Sequence, residues 1–180
     1  PSLLDESDFT AANLNRAEKG SGDSEVMIHE LVHQWWGLGN MFDASDESSP
    51  WSAEGLTVYT TYRIVKERYG PSYAQEHYVD QWRGEVEDYY LNFYVRRPEY
   101  LEALPEAERL AISNSLSGMR QYSEMPLKIL KAEELVGGEA AMDEILYGLF
   151  NRELDPMYPY LTYQEFLDAC GLTEEDLTLD

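Results

Sequence analysis

Ser24-Glu25-Val26-Met27-Ile28-His29-Glu30-Leu31-Val32-His33-Gln34-Trp35-Trp36-Gly37 is the stretch on which the fold turns. Its apolar residues at 26, 27, 28, 31, 32, 35 and 36 are spaced for a mostly buried helix. Ser24 is the predicted N-cap, and Gly37 and Gly39 are the predicted stop. Within this run, His29-Glu30-Leu31-Val32-His33 is an H-E-x-x-H motif. Two histidines four residues apart share one helix face, one turn from each other. Their ring nitrogens can converge on a single tetrahedral Zn²⁺. Glu30 stands beside them as the candidate base for a water that zinc acidifies. Burying two imidazoles and a carboxylate without compensation is costly, and one metal ion accounts for all three.

A catalytic zinc site takes three protein ligands and keeps one position open. Residues 34–43 contain no histidine, so the expected third ligand is an acid further along. Glu54, in Trp51-Ser52-Ala53-Glu54-Gly55, opens a second predicted helix over about Trp51 to Tyr69. From there its carboxylate can face the first helix across the intervening loop. Asp43, Asp46 and Glu47 are competitors, but they belong to an acidic loop where surface charge is the expected reading of each.

Together, His29 to Gly37 and Trp51-Ser52-Ala53-Glu54-Gly55-Leu56-Thr57-Val58-Tyr59 resemble the aminopeptidase N family of zinc metallopeptidases. These are gluzincins, with the pattern H-E-x-x-H-x-x-W/F-x-G followed by W-L-N-E-G. The resemblance implies His29, His33 and Glu54 as zinc ligands and Glu30 as general base. Here residues 34–53 make a gap two residues longer than the family's, and Ser52-Ala53 stand in place of Leu-Asn. Further on, Gln121-Tyr122-Ser123-Glu124-Met125, a helix, and then Val136-Gly137-Gly138 are similar to the segment carrying the family's catalytic tyrosine. By that match Tyr122 donates a hydrogen bond to the oxyanion, with Glu124-Met125 where the family has Lys-Gly. Leu161–Gly171 resembles the short helix that follows. The family's upstream G-x-M-E-N strand, which holds the substrate amine, has no counterpart in residues 1–28.

The fold this implies is mainly α: the helical lobe of a zincin, or thermolysin-like, catalytic domain. The chain is expected to be a fragment lacking the upstream β-rich lobe. Residues 1–180 then form a single domain, with 1–23 a loop or linker. The implied partners are peptide substrates and that upstream lobe. An alternative is a non-catalytic zincin-like module that binds peptides or keeps its metal for folding. A third reading is an acidic helical interaction domain without metal.

Moving outward, Gly70-Pro71 ends the second helix, and Ser72 is expected to cap a long third one to about Val95. Arg96-Arg97-Pro98 breaks that helix. A short helix at 105–112 is expected to stop at a polar turn, Ser113-Asn114-Ser115. Further helices are expected over 117–136, ended by Gly137-Gly138, and over 139–151. Thr162-Tyr163-Gln164-Glu165 is a capping box. Other chemistry-bearing residues read more plainly: His77 as surface, Arg96-Arg97 as a solvated pair, and Cys170 as a small hydrophobe. Arg120 is left between a substrate carboxylate and an acidic neighbour. The Tyr-rich helix is read as core and interface.

Composition bounds the rest. Lys and Arg number 13 against 35 Asp and Glu, a formal net charge of −22 over 180 residues. Such a surface repels the phosphate backbone of nucleic acid and anionic lipid alike. Hydrophobic residues at 43% separate the chain from disordered acidic tails. The one cysteine excludes an intrachain disulfide, and no run is long and apolar enough to insert in a membrane. The compartment stays open, an acidic chain without disulfides fitting a soluble or membrane-tethered bacterial domain.

Overall fold

The structure is a computed structural model that describes residues 22–43 and 49–179. Among these residues ten α-helices run in chain order. They are α1 (Gly22–Val32), α2 (Ala53–Tyr69), α3 (Pro71–Ala74), α4 (Asp80–Leu91) and α5 (Phe93–Arg96), then α6 (Pro98–Glu102), α7 (Glu106–Met119), α8 (Met125–Val136), α9 (Glu139–Phe150) and α10 (Tyr163–Cys170). Among the described residues there is no strand, only isolated bridge pairs such as Phe42 with Leu161. The architecture is mainly α.

The helix that carries His29 begins earlier than expected and also ends earlier, at Val32, so that His33 follows it in a turn. Gly22 and Asp23 are already helical, so Ser24 lies in the first turn and not at the cap. Residues 1–21, which make up most of the expected linker, lie outside the described residues. The second helix starts at Ala53 after an extended Ser52 (φ −162°) and stops at Gly70, whose φ of +93° suits a residue without a side chain. Pro71 then opens α3 at a position where its missing N–H costs nothing.

Among the described residues, two junctions are π turns. Asp80 N–H reaches back to Gln75 O, and Met125 N–H reaches back to Arg120 O. Each adds one residue to a turn and rotates the helix that follows. The first joins α3 to α4 through Gln75–Val79, and the second joins α7 to α8 through Arg120–Glu124. The expected turn at Ser113-Asn114-Ser115 is absent, because α7 runs straight through it. Ser and Asn disfavour helix by only about 0.5 kcal/mol each. Two helix ends would instead leave several backbone groups without partners.

Helix α2 is the axis of the molecule. Leu56, Tyr59, Tyr62 and Val65 are buried along it, against α1 on one side and α8 on the other. Full burial of a side chain such as Leu56 contributes about 1.5–3 kcal/mol over exposure. Gly55 permits the approach to α8: a Cβ there would stand 2.9 Å from Met125 Cβ and 2.5 Å from its Cγ. The entry to α2 is fixed independently by Trp51. Its indole N–H donates to Leu161 O at 3.1 Å, and its ring stacks with Tyr163 and Phe166 and meets a tilted Phe42. Thr162 and Glu165 form the expected capping box. The histidine helix, the start of α2 and the second π turn thereby meet at one place.

Candidate metal centre

His29 lies in α1 and His33 one turn on, just past its end, with Nε2 atoms 3.1 Å from each other. Glu54, in the first turn of α2, brings Oε2 to 3.2 Å from His29 Nε2 and 3.4 Å from His33 Nε2. Three potential ligand atoms thus form a near-equilateral triangle. Tetrahedral zinc with bonds of about 2.0–2.1 Å separates its ligands by about 3.3 Å. The donor set therefore fits a metal ion of that kind. Glu54 Oε2 is also buried without a well-directed hydrogen bond, although both imidazoles are close. A buried carboxylate oxygen without a proton donor is costly unless a cation meets it.

The orientation of His33 strengthens this reading. Its Nδ1 lies 2.9 Å from the Trp36 carbonyl oxygen. A carbonyl only accepts, so Nδ1 carries the proton and Nε2 offers its lone pair to the triangle. Without a cation, that lone pair would face the Glu54 oxygen directly. Burial pushes the Glu54 carboxyl up. The polar contact with His29, the nearby His33 ring and the Tyr122 hydroxyl outweigh it and hold the group below the usual carboxylate range. The N-terminal end of α2 also favours the anion.

Tyr122 lies on the π turn that joins α7 to α8, its ring 6.2 Å from that of His29. Burial, the charge and hydrogen bond of Glu54, and the charge of Glu30 together push its phenol up to about 12. At neutral pH it keeps its proton and acts as a donor. Glu30 is exposed and lines the same open groove as His29 and Tyr122. Every residue that the motifs single out therefore gathers here: His29, Glu30, His33, Glu54 and Tyr122.

The other described candidates are not part of the triangle. Among the competing acids, Asp43 pairs with the Tyr158 hydroxyl, and Asp46 and Glu47 lie outside the described residues. Arg120 meets an acidic neighbour: Nε donates to the buried Glu124 at 2.6 Å. His77 is exposed against the Tyr73 ring. Cys170 is half-buried, and burial pushes its thiol up to about 11. The Tyr-rich helix divides: Tyr78, Val79 and Trp82 are buried, whereas Tyr90 and Phe93 are exposed.

Three participants escape the sequence reading. The Trp36 carbonyl and Thr57 both contact His33 Nδ1, and Glu25 accepts hydrogen bonds from Tyr73 and Tyr78, each at 2.7 Å. Thr57 had a legible signal, since it follows Glu54 by three residues and so shares its helix face. The carbonyl had none.

Over 84 residues, 45% of this chain, the sequence is 32% identical to leucine aminopeptidase 2 of Emericella nidulans. The matched stretch spans 13% of that protein's length. No family model matches the chain. No solved structure matches it.

Proposed function

We infer that the chain carries the metal centre of a zinc-dependent peptidase of aminopeptidase type, in the manner of the gluzincins. The observation that carries this reading is the triangle of His29 Nε2, His33 Nε2 and Glu54 Oε2, with sides of 3.1, 3.2 and 3.4 Å. The partial similarity to a leucine aminopeptidase supports the same class. On this reading the helices belong to the helical lobe of a thermolysin-like catalytic domain, and the partners are peptide substrates and an upstream lobe.

Zinc held by the three ligands would polarise the scissile carbonyl and acidify the attacking water. The chain's own residues divide the remaining work. Glu30 takes the water's proton and passes it to the leaving amine. Tyr122, protonated at neutral pH, donates to the oxygen on which negative charge develops. The groove beside His29 and Tyr122 receives the peptide.

Glu30→Gln tests the assignment. It leaves all three metal ligands in place, so zinc content should be unchanged. Hydrolysis of aminoacyl amides and short peptides by the zinc-loaded chain should fall by about 10²–10⁴-fold. Equal activity in the two proteins would remove Glu30 from the mechanism. A zinc-loaded wild type that, supplied with the upstream lobe, binds peptides without cleaving any would replace the peptidase with a peptide-binding module.

A further inference from the structure

The ring of His33 is held from behind by two oxygens. Nδ1 lies 2.9 Å from Trp36 O and 3.2 Å from Thr57 Oγ1. The Thr57 hydroxyl is itself 3.4 Å from the same carbonyl. One placement of hydrogens satisfies all three contacts: Nδ1–H is shared between the two oxygens, and the threonine O–H points to the carbonyl. It leaves His33 Nε2 bare, facing His29 and Glu54.

The clamp is built from buried parts. Thr57 is 0% exposed. It lies one turn after Glu54, so the helix that supplies one ligand also orients another. Trp36 is anchored to the same helix, its indole N–H donating to Thr60 Oγ1 at 3.1 Å. Gly37 lets the chain close behind the ring. Its φ is +116°, and a Cβ there would stand 3.4 Å from His33 Nδ1 and 3.3 Å from Ala53 Cβ.

We propose that Thr57, together with the Trp36 carbonyl, is a positioning residue that fixes the Nδ1–H tautomer of His33 and aims its Nε2 lone pair into the metal site. This rests on the metal reading above. Outer partners of ligating histidines govern metal affinity by setting tautomer and ring orientation. Valine matches threonine in shape but lacks the hydroxyl, which isolates the effect.

The test is zinc affinity of the 180-residue chain by competition with a chromophoric chelator, for wild type, Thr57→Val, Thr57→Ala and Thr57→Ser. Ring-nitrogen NMR of His33 in the metal-free proteins is the second readout. Thr57→Val and Thr57→Ala should each weaken zinc binding by about tenfold or more. Thr57→Ser should restore wild-type affinity. Wild type should show His33 as the Nδ1–H tautomer, and Thr57→Val a mixture of the two. Unchanged affinity in Thr57→Val and Thr57→Ala overturns the inference, as does a serine variant as weak as they are. A wild-type His33 protonated on Nε2 overturns it as well. A wild type that takes up no zinc overturns the metal reading and this inference with it. Zinc bound equally by wild type and Thr57→Val overturns this inference alone.

Discussion

Glu54 has contradictory surroundings. Burial favours its neutral form, yet two imidazoles, a phenol and a helix N-terminus all favour its charge, and they prevail. Cys170 shows the opposite balance, with burial alone acting on it and no partner to stabilise a thiolate. With the thiol pushed up to about 11, roughly one molecule in a thousand carries the thiolate at pH 8. Alkylation by iodoacetamide should therefore be slow at pH 8 and accelerate tenfold per pH unit towards pH 10. Rapid modification at pH 8 would show that the thiol is not shielded. The readable part of the site was its local part. His29, Glu30 and His33 lie within one helical turn, so spacing alone sets their geometry. Glu54 was read as the leading acid among several and Tyr122 emerged only through resemblance to a family, because nothing in one sequence states which of 35 acids or 14 tyrosines folds back on that turn. The Trp36 carbonyl was beyond reach for a simpler reason: a backbone atom has no residue identity to read.

Helix α2 joins the site to the core, and Gly55 sets how closely it can do so. Any side chain there meets Met125, at 2.5–2.9 Å for the first carbon alone. Gly55→Ala is expected to destabilise the fold by about 1–3 kcal/mol through overpacking. Separating α2 from the second π turn should also weaken metal retention, since Glu54 and Tyr122 lie on the two sides of that contact. Thermal unfolding with parallel zinc titration checks both effects. An unchanged midpoint would mean that Met125 yields without cost. Helix ends at this scale were legible at Gly70-Pro71, Gly137 and Gly171, whereas the first helix ends at Val32, ahead of the stop expected at Gly37. The π turns were not, because one extra residue changes the phase of an apolar pattern without interrupting it. The false turn at Ser113-Asn114-Ser115 arose from weighing local propensity above the backbone pairing that a continuous helix preserves.

Across the molecule, a net charge of −22 opposes compactness. The ion pairs do not remove that repulsion. Arg63 draws in Glu133, Glu139 and Asp143, and Lys128 draws in Glu124 and Glu174, so single cations serve several acids. Raising salt from about 0.01 to about 0.1 M shortens the screening length from about 30 to about 10 Å. The unfolding midpoint should therefore rise over that range, and a fall would show that local pairs outweigh the global field. The sign of this charge, and the function classes it excludes, were legible from composition. The assembly of one site from α1, α2 and the turn before α8 was not, because it depends on packing between segments up to about ninety residues apart. The central claim concerns that assembly, and zinc content tests it most directly. The wild-type chain and Glu54→Ala would be loaded with zinc, dialysed exhaustively and assayed by elemental analysis. One zinc per wild-type chain, falling sharply in Glu54→Ala, is the predicted result. No retained zinc in the wild type, or equal retention in both proteins, would contradict a centre built from His29, His33 and Glu54.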